Sequence, residues 1–400
     1  MKKIFYFFFI MLSFSVWGQS IDSLNNYYSN SVEKMLRNKP GLLIGGYGEV
    51  HYNQPLNGGV RQQGILDVHR TVLFVGYNFS SKTQFISEIE IEYAREVWLE
   101  QMFLQHSLNK YINLRAGLLL VPMGIINEYH EPTFFNGVER PVLDNRMALS
   151  TWREVGAGFS GNILPASLKY QLYVVGGLNG YDNGGIFSGS KALREGRQKG
   201  SKAYLTSPAL TGKMEYYGLG NLNIGLSAYL GKSQSRLYNN LKDNDFDGIS
   251  RADSSVVNIS MLGIDFRYRL QGLKLQGQLY YTLVGNSQQY NVFTAKNGKF
   301  NDLGHAMLGY YTEAGYNINN LLKLNNNEWV LFVRYEFVDT HHAVDDNIIQ
   351  NIAYAEKLLT FGMSYYLTKG AVLKGDIVLN KKGNETSYSK TLNLGFGINF

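Results

Sequence analysis

A chain of 400 residues with no cysteine has no disulfide framework and no thiolate metal or redox site. Its net charge of +6, spread without a basic block, leaves no electrostatic footprint for nucleic acid. With 43 Gly, 29 Tyr and 22 Phe against 7 Pro, it is rich in aromatics without being continuously apolar, as expected where lipid-facing and water-facing side chains alternate along strands.

At the amino terminus, Lys2 and Lys3 precede an uncharged run over residues 4–17, and Val16 and Gly18 stand at small-residue cleavage positions. This pattern predicts a secretory signal peptide over residues 1–18. No other segment approaches the roughly 20 apolar residues of a spanning helix, so membrane insertion of the rest must use strands. Residues 19–40 read as a periplasmic segment. Leu24, Met35 and Leu36, with Asp22, Ser23 and Glu33, predict a short helix there before Lys39 and Pro40.

From residue 41 to 400, period-two alternation bounded by turn residues predicts sixteen strands. They run over 42–52, 65–79, 82–93, 97–108, 111–120, 151–161, 167–177, 208–218, 221–232, 255–270, 272–284, 306–319, 328–340, 355–368, 371–381 and 389–400. Connections after even-numbered strands are mostly tight, as at 80–81, 109–110, 218–220, 271 and 369–370. Those after odd-numbered strands are mostly long, at 53–64, 121–150, 178–207, 233–254, 285–305 and 341–354. The expected fold is an all-β, 16-stranded antiparallel transmembrane β-barrel with short periplasmic turns and long extracellular loops, in the outer membrane.

The alternation also sorts lipid from lumen. Leu222, Ile224, Leu226, Ala228 and Leu230 alternate with polar or small residues, and Trp329, Leu331, Val333, Tyr335 and Phe337 oppose Arg334 and Glu336. A charge facing lipid near the midplane costs about 2–4 kcal/mol for Arg or Lys, so the charged members point inward. By parity the lumen collects Lys169, Lys213, Arg267, Arg269, Lys274, Arg334 and Lys374. It also collects the row Glu88, Glu90 and Glu92, then Glu215, Asp265, Glu313, Glu336 and Asp376. Two arrangements stay open: an acidic wall facing a basic one, which orients polar solutes, or neutralisation between neighbouring strands. Sixteen strands enclose an aqueous channel by size. The last strand, apolar at Leu392, Leu394, Phe396, Ile398 and Phe400, resembles the closing signature of bacterial outer-membrane proteins.

The connection 121–150 is the candidate constriction. Pro122, Pro132, Phe134, Phe135 and Pro141 favour an ordered segment, and Glu139, Arg140, Asp144 and Arg146 give it charge. Leu114 to Gly117, Val121 to Gly124, Pro132 to Phe134, Glu139 with Arg140, Trp152 to Gly156, and Arg70 after Val68 and His69 are similar to stretches of the phosphate-selective porins O and P. The resemblance implies a trimeric, sixteen-stranded porin whose third loop folds into the lumen and whose basic residues conduct anions. Arg70, Arg115, Arg140 and Arg153 sit in matching motifs, and bracing the folded loop is their other possible role. The chain shows no dense inward Arg ladder, and Glu88, Glu90 and Glu92 oppose anion passage.

Asp243, Asp245 and Asp247 before Gly248 have the spacing that opens a calcium loop, although Ser254 replaces the twelfth-position Glu; a plain Asx-rich turn is the other reading. His51, His106, His130 and His305 are scattered without a Gly-x-Ser-x-Gly elbow, so no catalytic residue is assigned. The sequence thus predicts a passive diffusion channel for small hydrophilic solutes, anions such as phosphate among them. Its expected partners are outer-membrane lipid, those solutes and two further copies of itself, with no cofactor beyond a calcium ion. A barrel enzyme of lipase or protease type, and an adhesin or structural barrel, are the alternatives.

Overall fold

The computed structural model describes residues 30–37, 40–56, 58–322 and 327–400. The signal peptide and most of the segment 19–40 lie outside the described residues. Sixteen strands close a barrel: β1 Gly41–Pro55, β2 Ile65–Asn78, β3 Thr83–Glu92, β4 Glu96–Ser107, β5 Asn113–Leu120, β6 Arg153–Ile163, β7 Leu168–Val175 and β8 Ala209–Leu219. These continue as β9 Leu222–Lys232, β10 Asn258–Leu270, β11 Leu273–Gly285, β12 Ala306–Asn317, β13 Glu328–Ala343, β14 Ala355–Thr368, β15 Ala371–Lys382 and β16 Ser389–Asn399. Each pairs antiparallel with its neighbours. At the seam β1 meets β16, with Tyr47 opposite Asn399 and Gln54 opposite Leu392. The Phe400 amide donates to the Gly46 carbonyl at 2.9 Å and the Gly46 amide returns a bond to Phe400 at 3.0 Å. A Cβ at Gly46 would lie 3.0 Å from the Phe400 ring, so glycine is what lets the seam close.

The expected bookkeeping of connections holds. One rim carries short turns such as 79–82, 164–167, 271–272 and 369–370, and the other carries 121–152, 176–208, 233–257 and 286–305. The pleat sorts the side chains as predicted: Leu226, Leu230, Leu262, Ile264, Leu331 and Val333 are 45–50% exposed on the outside. Inside, Ser227, Tyr229, Asp265 and Arg334 are no more than 2% exposed. An apolar exterior around a closed hydrogen-bonded cylinder satisfies every ladder group without water, which is what a membrane demands.

The lumen differs from expectation. Barrel size predicts an open aqueous channel, yet the midsection is filled by the chain itself. The connection 121–152 folds inward and is buried along nearly its whole length, and a helix from the amino-terminal side joins it. This helix, α1 (Ser31–Met35), begins where the Asn30 side chain accepts from the Glu33 amide at 2.9 Å. It lies in the residues read as a periplasmic segment, but residues 30–37 pack inside the barrel mouth. Val32 and Met35 are buried, Ser31 donates from its amide and hydroxyl to Glu131 at 3.1 and 2.7 Å, and Glu33 pairs with Lys169 of β7 at 2.5 Å. The sequence signal for this insertion is slight, because five residues of helix carry too short a period to reveal which face is buried.

Candidate functional site

The folded connection is anchored at both ends by one asparagine. Asn127 donates to the Val121 and Trp152 carbonyls at 2.6 and 3.0 Å and accepts from the Trp152 amide at 2.7 Å. Gly124 takes φ +67°, and a Cβ there would fall on the Tyr280 hydroxyl, so the backbone reaches the β11 wall only because the residue is glycine. The Ile125 amide then donates to the Gln278 side chain at 2.8 Å.

Ion pairs and carbonyl contacts fix the rest. Glu128 pairs with Lys213 of β8 at 3.0 Å, and the same ammonium lies 3.4 Å from Asp265 and 3.7 Å from Glu215. The His130 ring meets Glu88 at 2.9 Å and Glu100 at 3.5 Å. Asn136 donates to Glu313 at 2.8 Å, the Val138 amide donates to Asp376 at 2.7 Å, and Lys374 donates to the Phe135 and Gly137 carbonyls at 2.8 and 2.9 Å. The short helix α2 (Val142–Arg146) brings the Leu143 amide to Glu336 at 3.2 Å and places Asp144 where Gln278 donates to it at 2.5 Å. Arg334 bridges Glu313 at 3.3 Å and Glu336 at 2.8 Å.

Of the two open arrangements of lumen charge, neutralisation between neighbours accounts for many of the wall charges, among them Arg70, Lys169, Lys213, Arg267 and Arg334. Arg70 lies between Glu49 at 2.7 Å and Glu90 at 3.0 Å. Arg140 donates to the His130 carbonyl at 2.8 Å and approaches Glu49 at 3.8 Å, while Arg115 donates to Gln105 at 2.7 Å and Tyr173 at 3.2 Å. Arg153 donates to the Thr151 carbonyl at 3.3 Å and is 3.9 Å from Glu100; Glu139 meets His51 at 3.0 Å; Arg146 meets Glu356 at 3.3 Å. Lys169 links Glu33 to Glu215, and Lys274 sits 5.6 Å over the Tyr366 ring. Of the four arginines in the family-like motifs, Arg140 and Arg153 touch the folded connection, while Arg70 and Arg115 join wall residues to one another. Breaking a buried pair by removing one partner costs about 3–5 kcal/mol, so pairs such as Glu128 with Lys213 and His130 with Glu88 hold the connection firmly to the wall.

The acidic loop motif opens a helix. Asp245 caps α3 (Phe246–Ser254), its carboxylate accepting from the Gly248 amide at 2.9 Å, and among the described residues Asp243, Asp245 and Asp247 do not gather at ligand distance. The motif is spent on a helix start. His51, His69 and Glu139 do converge within 4.8 Å, but the two imidazoles stack at 4.2 Å and 13°. Lone pairs in parallel ring planes do not meet on one cation, and both His51 nitrogens already face carboxylates, Glu139 at 3.0 Å and Glu49 at 3.3 Å.

Among the described residues, hollows lie on either side of the folded connection. On the long-loop rim, a vestibule of about 330 Å³ is lined by Glu49, His51, Arg70, Glu90, Glu92 and Glu139 on one wall and by Trp98, Arg153, Arg194, Arg197 and Lys199 on the other. On the short-turn rim, hollows of about 230 and 480 Å³ reach Arg115 and Lys169 in one case and Arg269 and Lys274 in the other. Arg194, Arg197 and Lys199 come from the connection 176–208, where no strand period reveals which side chains turn inward, so sequence reasoning missed them. Arg194 donates to the Asn145 and Ser150 carbonyls at 2.9 and 3.0 Å, and Arg197 to those of Leu149 and Ser150 at 3.0 and 3.1 Å. Burial, reinforced by Arg194 and Arg153, pulls the Arg197 pKa down to about 9; burial and then Arg197 lower that of Lys199. Both shifts record positive charge short of a partner.

No family model matches this chain. An uncharacterized protein of Aquifex aeolicus (strain VF5) is 30% identical to it over 372 residues, 89% of this chain and 80% of that one. The chain belongs to the family of that protein. Among solved structures it is similar to an anion-selective porin from Comamonas acidovorans (TM-score 0.56, 12% identity, covering 90% of this chain and 100% of that one). It is also similar to OprB of Pseudomonas putida (0.55, 10%, 90% and 94%) and to OmpT of Vibrio cholerae in a trimer form (0.51, 9%, 90% and 100%). At these identities the likeness is one of fold, the 16-strand barrel of outer-membrane porins. Membership of the phosphate-selective O and P porins is carried no further than that fold. Barrel and apolar belt together make the protein a multi-pass β-barrel of the outer membrane.

Proposed function

We propose that the protein is an outer-membrane channel for small hydrophilic solutes, with anions favoured, and that the seating of the connection 121–152 sets its conductance. One observation carries this reading: charged, water-accessible hollows open on both rims and are separated by a folded chain segment bound to the wall through polar contacts, not by wall side chains alone. A segment held by pairs and hydrogen bonds has a wet alternative in which each group is solvated, so it can yield where a hydrophobic plug would not. The anion preference rests on Arg194, Arg197 and Lys199 at the outer rim, since the family-like arginines already face protein acceptors. Weak binding there followed by release down a gradient serves flux better than tight binding. Assembly as a homotrimer, the form named for the similar Vibrio cholerae OmpT, is part of the same proposal.

Reconstitution in planar bilayers tests it. The expected record is stepwise conductance with long closed intervals and a reversal potential on the anion side. A correctly folded barrel that stays silent, and whose liposomes admit no small sugar or salt, overturns the channel; hydrolysis of an ester or peptide by the same preparation favours the enzyme alternative.

A further inference from the structure

We infer that the outer vestibule is a binding site for a small organic solute bearing an oxyanion, a phosphate or carboxylate group held by Arg153, Arg194, Arg197 and Lys199 beside Trp98. The opposite wall compensates itself: Glu49 and Glu90 share Arg70 at 2.7 and 3.0 Å, and Glu139 takes His51 at 3.0 Å. The basic wall does not. Among the described residues no ion pair includes Arg194, Arg197 or Lys199. The hydrogen bonds of the two arginines go to carbonyls through Nη1, and through Nε of Arg197 to the Arg194 carbonyl, leaving Nη2 of each uncommitted. Lys199 lies 4.0 Å over the Trp98 ring.

A second observation points the same way. Arg153 is 3% exposed, lines the same hollow, and its Nε has no hydrogen-bond partner. A buried guanidinium N–H without an acceptor is costly unless an acceptor arrives, and paired guanidinium donors match the two oxygens of a carboxylate or phosphate. Against the three cations outside any ion pair, Arg194, Arg197 and Lys199, the vestibule sets one carboxylate outside its ion-paired network, Glu92, while Arg153 shares Glu100 at 3.9 Å, so its balance favours an anion. A hollow of about 330 Å³ sits at the lower end of the roughly 300–1,000 Å³ typical of small-molecule sites, more room than a bare ion needs. The inference rests on the channel reading only in making this site the point of entry.

Calorimetric titration of the detergent-solubilised full-length protein tests it, with glycerol 3-phosphate, citrate and uncharged glycerol as separate probes. Binding of either anion, with glycerol silent and affinity falling as salt is raised, supports the site, and the probe that binds identifies the oxyanion. Arg197→Gln is expected to weaken that binding by roughly tenfold or more. Lys199→Gln, which touches no backbone carbonyl and leaves the fold intact, is expected to weaken it severalfold. Affinity unchanged in Lys199→Gln and Arg197→Gln, or neither anion binding to a barrel that conducts, overturns the site and leaves the channel standing. Binding by a barrel that never conducts does the reverse.

Discussion

Replacing Lys213 by methionine should unseat the folded connection. The Lys213 ammonium is 3% exposed, lies 3.0 Å from Glu128, 3.4 Å from Asp265 and 3.7 Å from Glu215, and donates to the Gly124 carbonyl. Glu215 keeps Arg267, and Lys169 at 3.2 Å, but Glu128 and Asp265 lose their nearest cation. Leaving a buried charge uncompensated costs about 3–5 kcal/mol. Because Glu128 reaches water once the connection leaves the wall, most of that penalty falls on the seated state. At 1.4 kcal/mol per factor of ten, 3 kcal/mol shifts the balance toward the unseated state by roughly 150-fold. Single-channel recording reads this directly as longer and more frequent open intervals. Glu128→Gln added to Lys213→Met should recover much of the closed time, since an amide needs no counter-ion yet still meets the Gln171 side chain. If the single variant runs as a folded barrel on unheated gels yet keeps the wild-type open time, or if the double variant recovers nothing, the tethering argument fails.

Further expectations concern separate contacts. Gly124→Ala puts a Cβ onto the Tyr280 hydroxyl at a φ of +67°, at a conformational cost of about 1–2 kcal/mol before the collision, and should also raise open time. Arg70→Ala leaves Glu49 and Glu90 buried without their shared cation and should cost about 3–5 kcal/mol, read as earlier thermal loss of the folded gel band. Asp245→Ala should destabilise α3 locally by about 1 kcal/mol, with calcium changing the melting of neither wild type nor variant; a calcium-dependent rise in the wild type alone would restore the metal reading. Val32→Asp with Met35→Asp places two charges on the buried face of α1 and should widen the short-turn mouth, measured as faster sugar entry into liposomes.

The barrel was legible because its signal is repeated: Leu226 beside Ser227, and Val333 beside Arg334, state the same inside and outside rule in strand after strand, and lipid enforces it. The inward fold of 121–152 was legible as a constriction through its prolines and aromatics. What parity gave for the lumen was the list of charges, not their partners. Lys213 needs Glu128, 85 residues away, and Arg334 needs a pleat neighbour and a cross-strand one, so no local period announces that these charges are consumed. Arg194, Arg197 and Lys199 escaped for the opposite reason, lying in a connection whose path is fixed by tertiary contacts. The Asp243 to Gly248 spacing left two readings open because an Asx turn, a helix cap and a calcium loop all begin with the same short acidic residues.

Fifteen of the sixteen strand pairings join sequence neighbours; the β1 to β16 seam joins residues some 350 positions apart. Until that last zip, two naked edges would face hydrocarbon, each unmet amide or carbonyl costing several kcal/mol. The cylinder therefore has no stable three-quarter form within the bilayer. Damage to β16 should cause loss of the whole molecule from the membrane instead of a leaky remnant, and assembly should be paced by this one long-range meeting and not by the local hairpins.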